Sequence, residues 1–276
     1  MNLSIALAQA EFGFGEPDKN FQKASQMIID AAERGADLVL LPELWASGYD
    51  LVNCREYASS IGEGWFYSMQ SAAKENKIAL GCSLMEKDQG EYYNTFVFYD
   101  PSGTLLGSYR KIHLFQMLKE QDHFQAGTEL TSFDFNSVKI GLATCYDLRF
   151  PELFRAYAVA GVELMLIVAE WPAKRVNHWN LLLQARAIEN QYFVGAVNKV
   201  GESQGARLGG SSAVINPMGE YLIQGEEKEA LLMAEINLKE VDKIRRWMPV
   251  LKDRKPDLYQ KFFHPPGNQG WDNSSE

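Results

Sequence analysis

The stretch VKIGLATCYDLRFPELFRAYAVAGVELMLIVAE, residues 138–170, reads as strand, turn, helix and strand in succession. Val138 to Thr144 and Val162 to Glu170 are short apolar runs of the kind found in strands buried in a core. Between them, Pro151 to Ala160 reads as a helix with proline in its first turn, where its missing N–H costs nothing. This alternation predicts an α/β fold in which helices cover buried strands.

The pattern extends in both directions. Upstream, LSIALAQA reads as a first strand and Asp18 to Arg34 as an amphipathic helix carrying Phe21, Ala24, Ile28 and Ala31 on one face, with Gly35 placed to stop it. The strand ADLVLLPE and a helix from Glu63 to Asn76 follow. KIALGCSLME, EYYNTFVFYD and TLLGSYRKIHLF then read as successive strands, the last two forming a hairpin through Pro101, Ser102 and Gly103. Downstream, a helix from His178 to Asn190 leads into the strand YFVGAVNKV. GGSSAVINPMGEYLI reads as a hairpin turning at Asn216 to Gly219, and EALLMAEIN as a final strand. No Pro-rich or Ser-rich linker interrupts the chain, so residues 1–264 are expected to form a single domain and 265–276 a flexible tail.

At 276 residues the chain can bury roughly 75% of its unfolded surface in a substantial core. Its net charge of −9 argues against a nucleic-acid partner. No basic region precedes the N-terminal apolar run, and no segment reaches the roughly 18 uninterrupted apolar residues of a membrane span. Cys54, Cys82 and Cys145 form an odd set without CxxC spacing, which fits free thiols in a reducing compartment. A cytoplasmic location is the simplest expectation.

Cys145 stands at the end of an apolar strand and a few residues before a helix, where backbone N–H groups point outward. That placement favours a thiolate, and the N–H of Tyr146 could stabilise an oxyanion. A buried structural cysteine would occupy the same position. Glu43 follows the run LVLLP, and partial desolvation there would raise its pKa and suit it as a general base; a solvated loop carboxylate or a helix cap is the plainer alternative. Lys111, in SYRKIHLF, is either a surface charge on a strand or a cation near a thiolate or oxyanion. Spacing alone does not bring these three together.

The segments LPELWASGY around Glu43, YRKIHLF around Lys111 and ATCYDLRFPE around Cys145 resemble, in order and wording, the three signature segments of the carbon-nitrogen hydrolase (nitrilase-like) superfamily. The resemblance runs from LAQA through WPAKRVNHWNLLLQARAIENQ and SSAVINPMGE to KPDLY. It implies a four-layer αββα sandwich, usually within a homodimer. It also implies a thiol hydrolase in which Glu43 takes the proton of Cys145 while Lys111 and the N–H of Tyr146 stabilise the oxyanion, with no metal or organic cofactor. Glu120 is the best match to a second glutamate that many members carry, a solvated loop charge being the alternative.

The phrases CYDLRFPE, AEWPAKRVNHW and ARAIENQ look closest to the omega-amidase-like branch, which suggests amides such as 2-oxoglutaramate or succinamate. Such substrates carry a remote carboxylate. Arg149 is a candidate to bind it, or else to brace a helix against Glu152; Trp171 is a candidate pocket wall or a core residue. Competing readings are a papain-like pairing of Cys145 with His113, His123 or His178, a nitrilase or carbamoylase on the same residues, and a non-catalytic small-molecule-binding protein. A metal site is disfavoured by the lack of HExxH or closely spaced Cys and His. The stretch from Val241 to Tyr259 suits either a subunit interface or packing on its own domain.

Overall fold

Two six-stranded sheets lie face to face in the computed structural model, which describes residues 2–263. The tail expected at 265–276 falls outside the described residues. The first sheet is built from β1 (Asn2–Gln9), β2 (Leu38–Leu40), β3 (Ala79–Asp88), β4 (Glu91–Tyr99), β5 (Leu105–Arg110) and, from the far end of the chain, β14 (Ala230–Asn237). The second contains β6 (Ser132–Phe135), β7 (Val138–Thr144), β8 (Leu164–Ala169), β9 (Phe193–Asn198), β12 (Ala213–Ile215) and β13 (Tyr221–Gln224). A separate hairpin, β10 (Val200–Ser203) with β11 (Ala206–Gly209), stands beside them.

The sheets share one plan. Their orders are β14-β1-β2-β3-β4-β5 and β13-β12-β9-β8-β7-β6. In each, three parallel strands sit together, β1, β2 and β3 in one and β7, β8 and β9 in the other, with antiparallel strands outside them. Parallel strands need covered faces. The helices α1 (Pro17–Glu33) and α3 (Gly64–Asn76) cover the first sheet, and α4 (Pro151–Val159) and α5 (Val176–Asn190) the second.

Alternation along the strands explains the layers. Ile5, Leu7 and Leu40 point between the sheets toward Ile140, Leu166 and Phe193, whereas Ala6, Ala8 and Val39 point outward to Ala24, Ile28 and Phe66 of α1 and α3. The result is the αββα sandwich expected from the resemblance. Short α2 (Cys54–Tyr57) lies in the loop after β2, while α6 (Lys239–Trp247) and α7 (Pro256–Phe263) close the described chain.

Three details differ from the sequence expectation. The strand expected over residues 36–43 is regular only at Leu38–Leu40; the Asp37 and Leu41 N–H groups still donate to Ser4 O and Gly81 O at 2.9 Å, and Pro42, which has no N–H, ends the ladder beyond them. β5 stops at Arg110 instead of running to Phe115. Lys111 makes one more rung, its N–H donating to Asn94 O at 2.9 Å, before the returning chain intervenes and Gly127 N–H donates to Lys111 O at 2.9 Å. A Cβ on Gly127 would fall 2.1 Å from Arg110 O, so only glycine permits this approach. The third difference is the set of elements not anticipated, among them α2, β6, the β10–β11 hairpin, α6 and α7.

Part of the stretch from Val241 to Tyr259 is tied to its own domain. Val241 is buried, and the Arg245 guanidinium donates to Val162 O and Gln191 O at 2.6 and 3.2 Å. Trp247, two residues on, is 67% exposed.

Candidate active site

Glu43, Lys111 and Cys145 arrive in one place from three strand ends. Glu43 follows β2, Lys111 follows β5 and Cys145 follows β7, so the face-to-face packing of the sheets brings both carboxyl-terminal edges to a common opening. Lys111 and Glu43 are fully buried, which removes the surface-charge and solvated-loop alternatives for both.

Lys111 Nζ lies 2.9 Å from Glu43 Oε1 and 2.8 Å from Glu120 Oε1. Glu120 is itself fully buried rather than a solvated loop charge. It sits at the start of a short 3₁₀ turn, Glu120–Asp122, reached through Lys119 at φ 56°. The Glu120 carboxylate also accepts the Tyr49 hydroxyl and, on Oε2, the Phe115 N–H at 2.6 Å. Glu43 is fixed by further donors, with Asn94 Nδ2 at 2.8 Å on Oε1 and the Glu170 N–H at 2.9 Å on Oε2.

Cys145 opens a 3₁₀ turn, Cys145–Arg149, with a backbone φ of 48°. A non-glycine residue in that region is uncommon and needs a rigid surround to hold it. Asp147 supplies one. Its buried carboxylate accepts the Thr144 N–H (3.0 Å), the Tyr109 hydroxyl (2.7 Å) and the His113 N–H (3.0 Å), and pairs with His113 Nδ1 at 2.7 Å. The His113 ring stacks on Phe150 at 3.6 Å between centroids. The Tyr146 N–H lies in the first turn, where helical geometry supplies no partner of its own.

Burial governs the ionisation of the three groups. It lifts the Glu43 carboxyl above its usual range, the Lys111 ammonium opposing and the Glu120 charge reinforcing the shift. Burial also pushes the Cys145 thiol well up, with Glu43 adding to the effect and Lys111 opposing it. For Lys111 burial alone would favour the neutral amine, yet Glu120 and Glu43 hold it well above the ordinary lysine value. The resting arrangement is a neutral thiol beside a carboxyl of raised proton affinity and a firmly charged ammonium. Such a set can pass a proton from sulfur to carboxylate and stabilise a developing anion.

A cavity of about 280 Å³ opens onto Cys145. Its walls include Phe115, Tyr146, Trp171 and Leu208, and three cations, Arg149, Lys174 and Arg175, also line it. The Arg149 guanidinium stands 4.8 Å from the Trp171 ring and touches His178 Nδ1 at 3.4 Å. No ion pair with Glu152 is present among the described residues, so the bracing alternative for Arg149 is not what the structure has. Trp171 is both wall and core, only 3% exposed, its backbone N–H donating to Asn198 Oδ1 at 2.6 Å and its indole N–H to Arg175 O at 2.8 Å. Of the histidines weighed against Cys145, His113 pairs with Asp147 and His178 with Arg149. Among the described residues neither these nor His123 hydrogen-bonds the thiol.

Sequence reasoning did not single out Tyr49, Asn94, Glu170, Lys199 or Asp147. Two of them left a trace: the adjacent apolar runs VELMLIVAE and YFVGAVNKV carry opposite charges near their ends, Glu170 and Lys199. The others are polar residues in loops or a strand, and nothing local distinguishes them.

The carbon-nitrogen hydrolase family matches residues 4–246. This chain belongs to that family. The carbon-nitrogen hydrolase described here therefore acts on carbon–nitrogen bonds other than peptide bonds. It is 37% identical over 260 residues to a 2-oxoglutaramate amidase of Bacillus subtilis (strain 168), covering 94% of this chain and 100% of the relative. With the omega-amidase of Homo sapiens it shares 35% identity over 269 residues, 92% of this chain and 96% of the other. Among solved structures, a carbon-nitrogen hydrolase superfamily protein from Xanthomonas campestris, with an arsenic adduct in its active site, superposes with a TM-score of 0.87 at 29% identity. That match covers 92% of this chain and 98% of that one. A Nesterenkonia amidase, in a form where acrylamide has added to the active-site cysteine, matches with a TM-score of 0.84 at 27% identity, covering 94% and 99%.

Proposed function

We propose that this carbon-nitrogen hydrolase is a thiol amidase that removes the terminal amide of a small carboxylate-bearing substrate, of the 2-oxoglutaramate or succinamate kind. The observation that carries the reading is the buried Lys111 ammonium bridging Glu43 and Glu120 beside Cys145, at a cavity lined by Arg149, Lys174 and Arg175. Similarity to a 2-oxoglutaramate amidase and to an omega-amidase supports it.

In this reading Glu43 takes the proton from Cys145 as sulfur attacks the amide carbonyl. The oxyanion is met by Lys111 and the Tyr146 N–H, which are in place before charge develops and so need little reorganisation. Glu43 returns its proton to the departing nitrogen, the C–N bond breaks and ammonia leaves a thioester on Cys145. Water, activated by Glu43, then adds to the thioester; the C–S bond breaks and the acid departs as the thiol is reprotonated. Glu120 holds Lys111 in place through Oε1. The substrate carboxylate lies toward Arg149, and Trp171 walls the acyl chain.

We also propose that the enzyme is a cytoplasmic homodimer. Three free cysteines support the compartment, and an exposed apolar surface at Ile188, Met218 and Met248 supports association.

The test is ammonia release from 2-oxoglutaramate, succinamate, an N-carbamoyl amino acid and a simple nitrile, with intact-mass detection of an acyl adduct. Turnover of the carboxylate-bearing amides, with an adduct that Cys145→Ala abolishes, is expected. No amide turnover, with Cys145→Ala indistinguishable from the parent, would sink the reading.

A further inference from the structure

The parallel strands β8 and β9 run side by side with Ala169 level with Asn198, and the next residue on each is charged: Glu170 and Lys199. Lys199 Nζ lies 2.6 Å from Glu170 Oε2, and the two side chains are 0% and 5% exposed. Stability is a poor reason for such a pair, because removing two charges from water offsets most of their attraction.

The surroundings of Glu170 give a better one. Its N–H donates to Glu43 Oε2 at 2.9 Å, and its carbonyl oxygen is the acceptor 3.8 Å from Cys145 Sγ. The residue lines the cavity, and its Oε1 takes no protein hydrogen bond among the described residues. A third carboxylate thus hangs from the backbone that touches both the thiol and Glu43. The charged and titratable groups gathered here are Glu43 after β2, Tyr49 in the following loop, Lys111 after β5, Glu120, Arg149 on the Cys145 turn, Glu170 and Lys199, with Tyr146, Lys174 and Arg175 also lining the cavity. Lys111 already serves two carboxylates and cannot balance a third.

We propose that Lys199 is a positioning residue that neutralises Glu170, so that Cys145 can lose its proton to Glu43 without facing an unbalanced carboxylate. No bond forms or breaks at Lys199. The effect is on the cost of placing negative charge on sulfur, and it rests on Cys145 being the reacting thiol.

Alkylation by iodoacetamide tests this without any assumption about the substrate. The full chain is labelled from acid to alkaline pH, the Cys145 peptide is quantified by mass, and unfolding midpoints are measured in parallel. Lys199→Met should be labelled about tenfold more slowly at neutral pH, with its curve displaced to the alkaline side, as a one-unit rise in thiol pKa requires. Adding Glu170→Gln to Lys199→Met should restore labelling to within roughly threefold of the parent, since the unbalanced charge is then gone. Glu170→Gln alone should be labelled at least as fast as the parent, and this variant decides the matter if Lys199→Met does not fold. A double variant as slow as Lys199→Met, an unmoved Lys199→Met curve, or slow labelling of Glu170→Gln would overturn the proposal. If the parent is not labelled on Cys145 at all, the thiol-amidase reading falls with it; normal parent labelling with unmoved variants removes only the role of Lys199.

Discussion

His113 Nδ1 stands 2.7 Å from Asp147 Oδ1, and this contact ties the segment two residues beyond Lys111 to the turn two residues beyond Cys145. The same carboxylate holds the backbone on both sides, through the N–H groups of His113 and Thr144. Asp147 is thus a clamp between two sheet edges. In Asp147→Asn the amide cannot accept at every one of these positions and leaves buried donors unpaired. A loss of roughly 3 kcal/mol is expected, a fall of about 6–12 °C in the thermal midpoint for a domain of this size. Calorimetry checks it; a midpoint within a degree or so of the parent would mean that the clamp is not needed.

Lys111→Met should abolish turnover and also destabilise the fold, because Glu43 and Glu120 would share a dry site without their cation. The expected cost is about 3–5 kcal/mol. Adding Glu120→Gln should return much of that stability and none of the activity. Urea midpoints read beside ammonia release separate the two effects, and recovery of turnover in the double variant would contradict the assigned role of the ammonium.

The pH dependence follows from the directions of the shifts. Glu43 has its carboxyl raised by burial from 4.5, so it binds its proton more tightly in the folded chain. Its effect on stability is therefore favourable below 4.5 and is lost as pH climbs toward the folded value. Because Glu43 must be ionised to act as a base, the acid limb of kcat/KM is expected above 4.5. Lys111 is raised from 10.5 by Glu120 and Glu43 against the opposing effect of burial; the stability it contributes is present below 10.5 and is lost as pH rises through the folded value. A pH series of unfolding midpoints should fall more steeply on the alkaline side for the parent than for Lys111→Met. An acid limb at or below the ordinary glutamate range would count against Glu43 as the base.

Arg149→Leu should separate charged from neutral substrates. Loss of one charge-assisted hydrogen bond, about 1.5–3 kcal/mol, raises KM for succinamate roughly 10- to 150-fold. A neutral amide such as propionamide has no carboxylate to lose, so its kcat/KM should change much less. Steady-state kinetics on the pair decides the matter, and equal losses on both would assign Arg149 to support of Trp171 instead.

The α/β class and most strand positions were legible from residue patterns, because buried strands and amphipathic helices carry periodicities that burial enforces everywhere along them, whereas the four-layer order came from the family resemblance. The stretch from Val138 to Glu170 folds much as read, with Val138–Thr144 and Leu164–Ala169 as strands and Pro151–Val159 as the helix. The motifs at Glu43, Lys111 and Cys145 were legible too, as a resemblance rather than as geometry. The sequence by itself thus determined the α/β class and, through its resemblance to a known family, indicated the sandwich and nominated the candidate catalytic residues. Only the tertiary structure decided that Glu120 is buried against Lys111, that Asp147 clamps the Cys145 turn, and that Glu170 and Lys199 pair beside the thiol. Contacts of the site join residues up to 127 positions apart, as the Glu170 N–H does with Glu43, and their energies depend on desolvation. A charge in a loop reads the same in sequence whether water or protein surrounds it, and burial, which sets its proton affinity, exists only once the sheets have closed together.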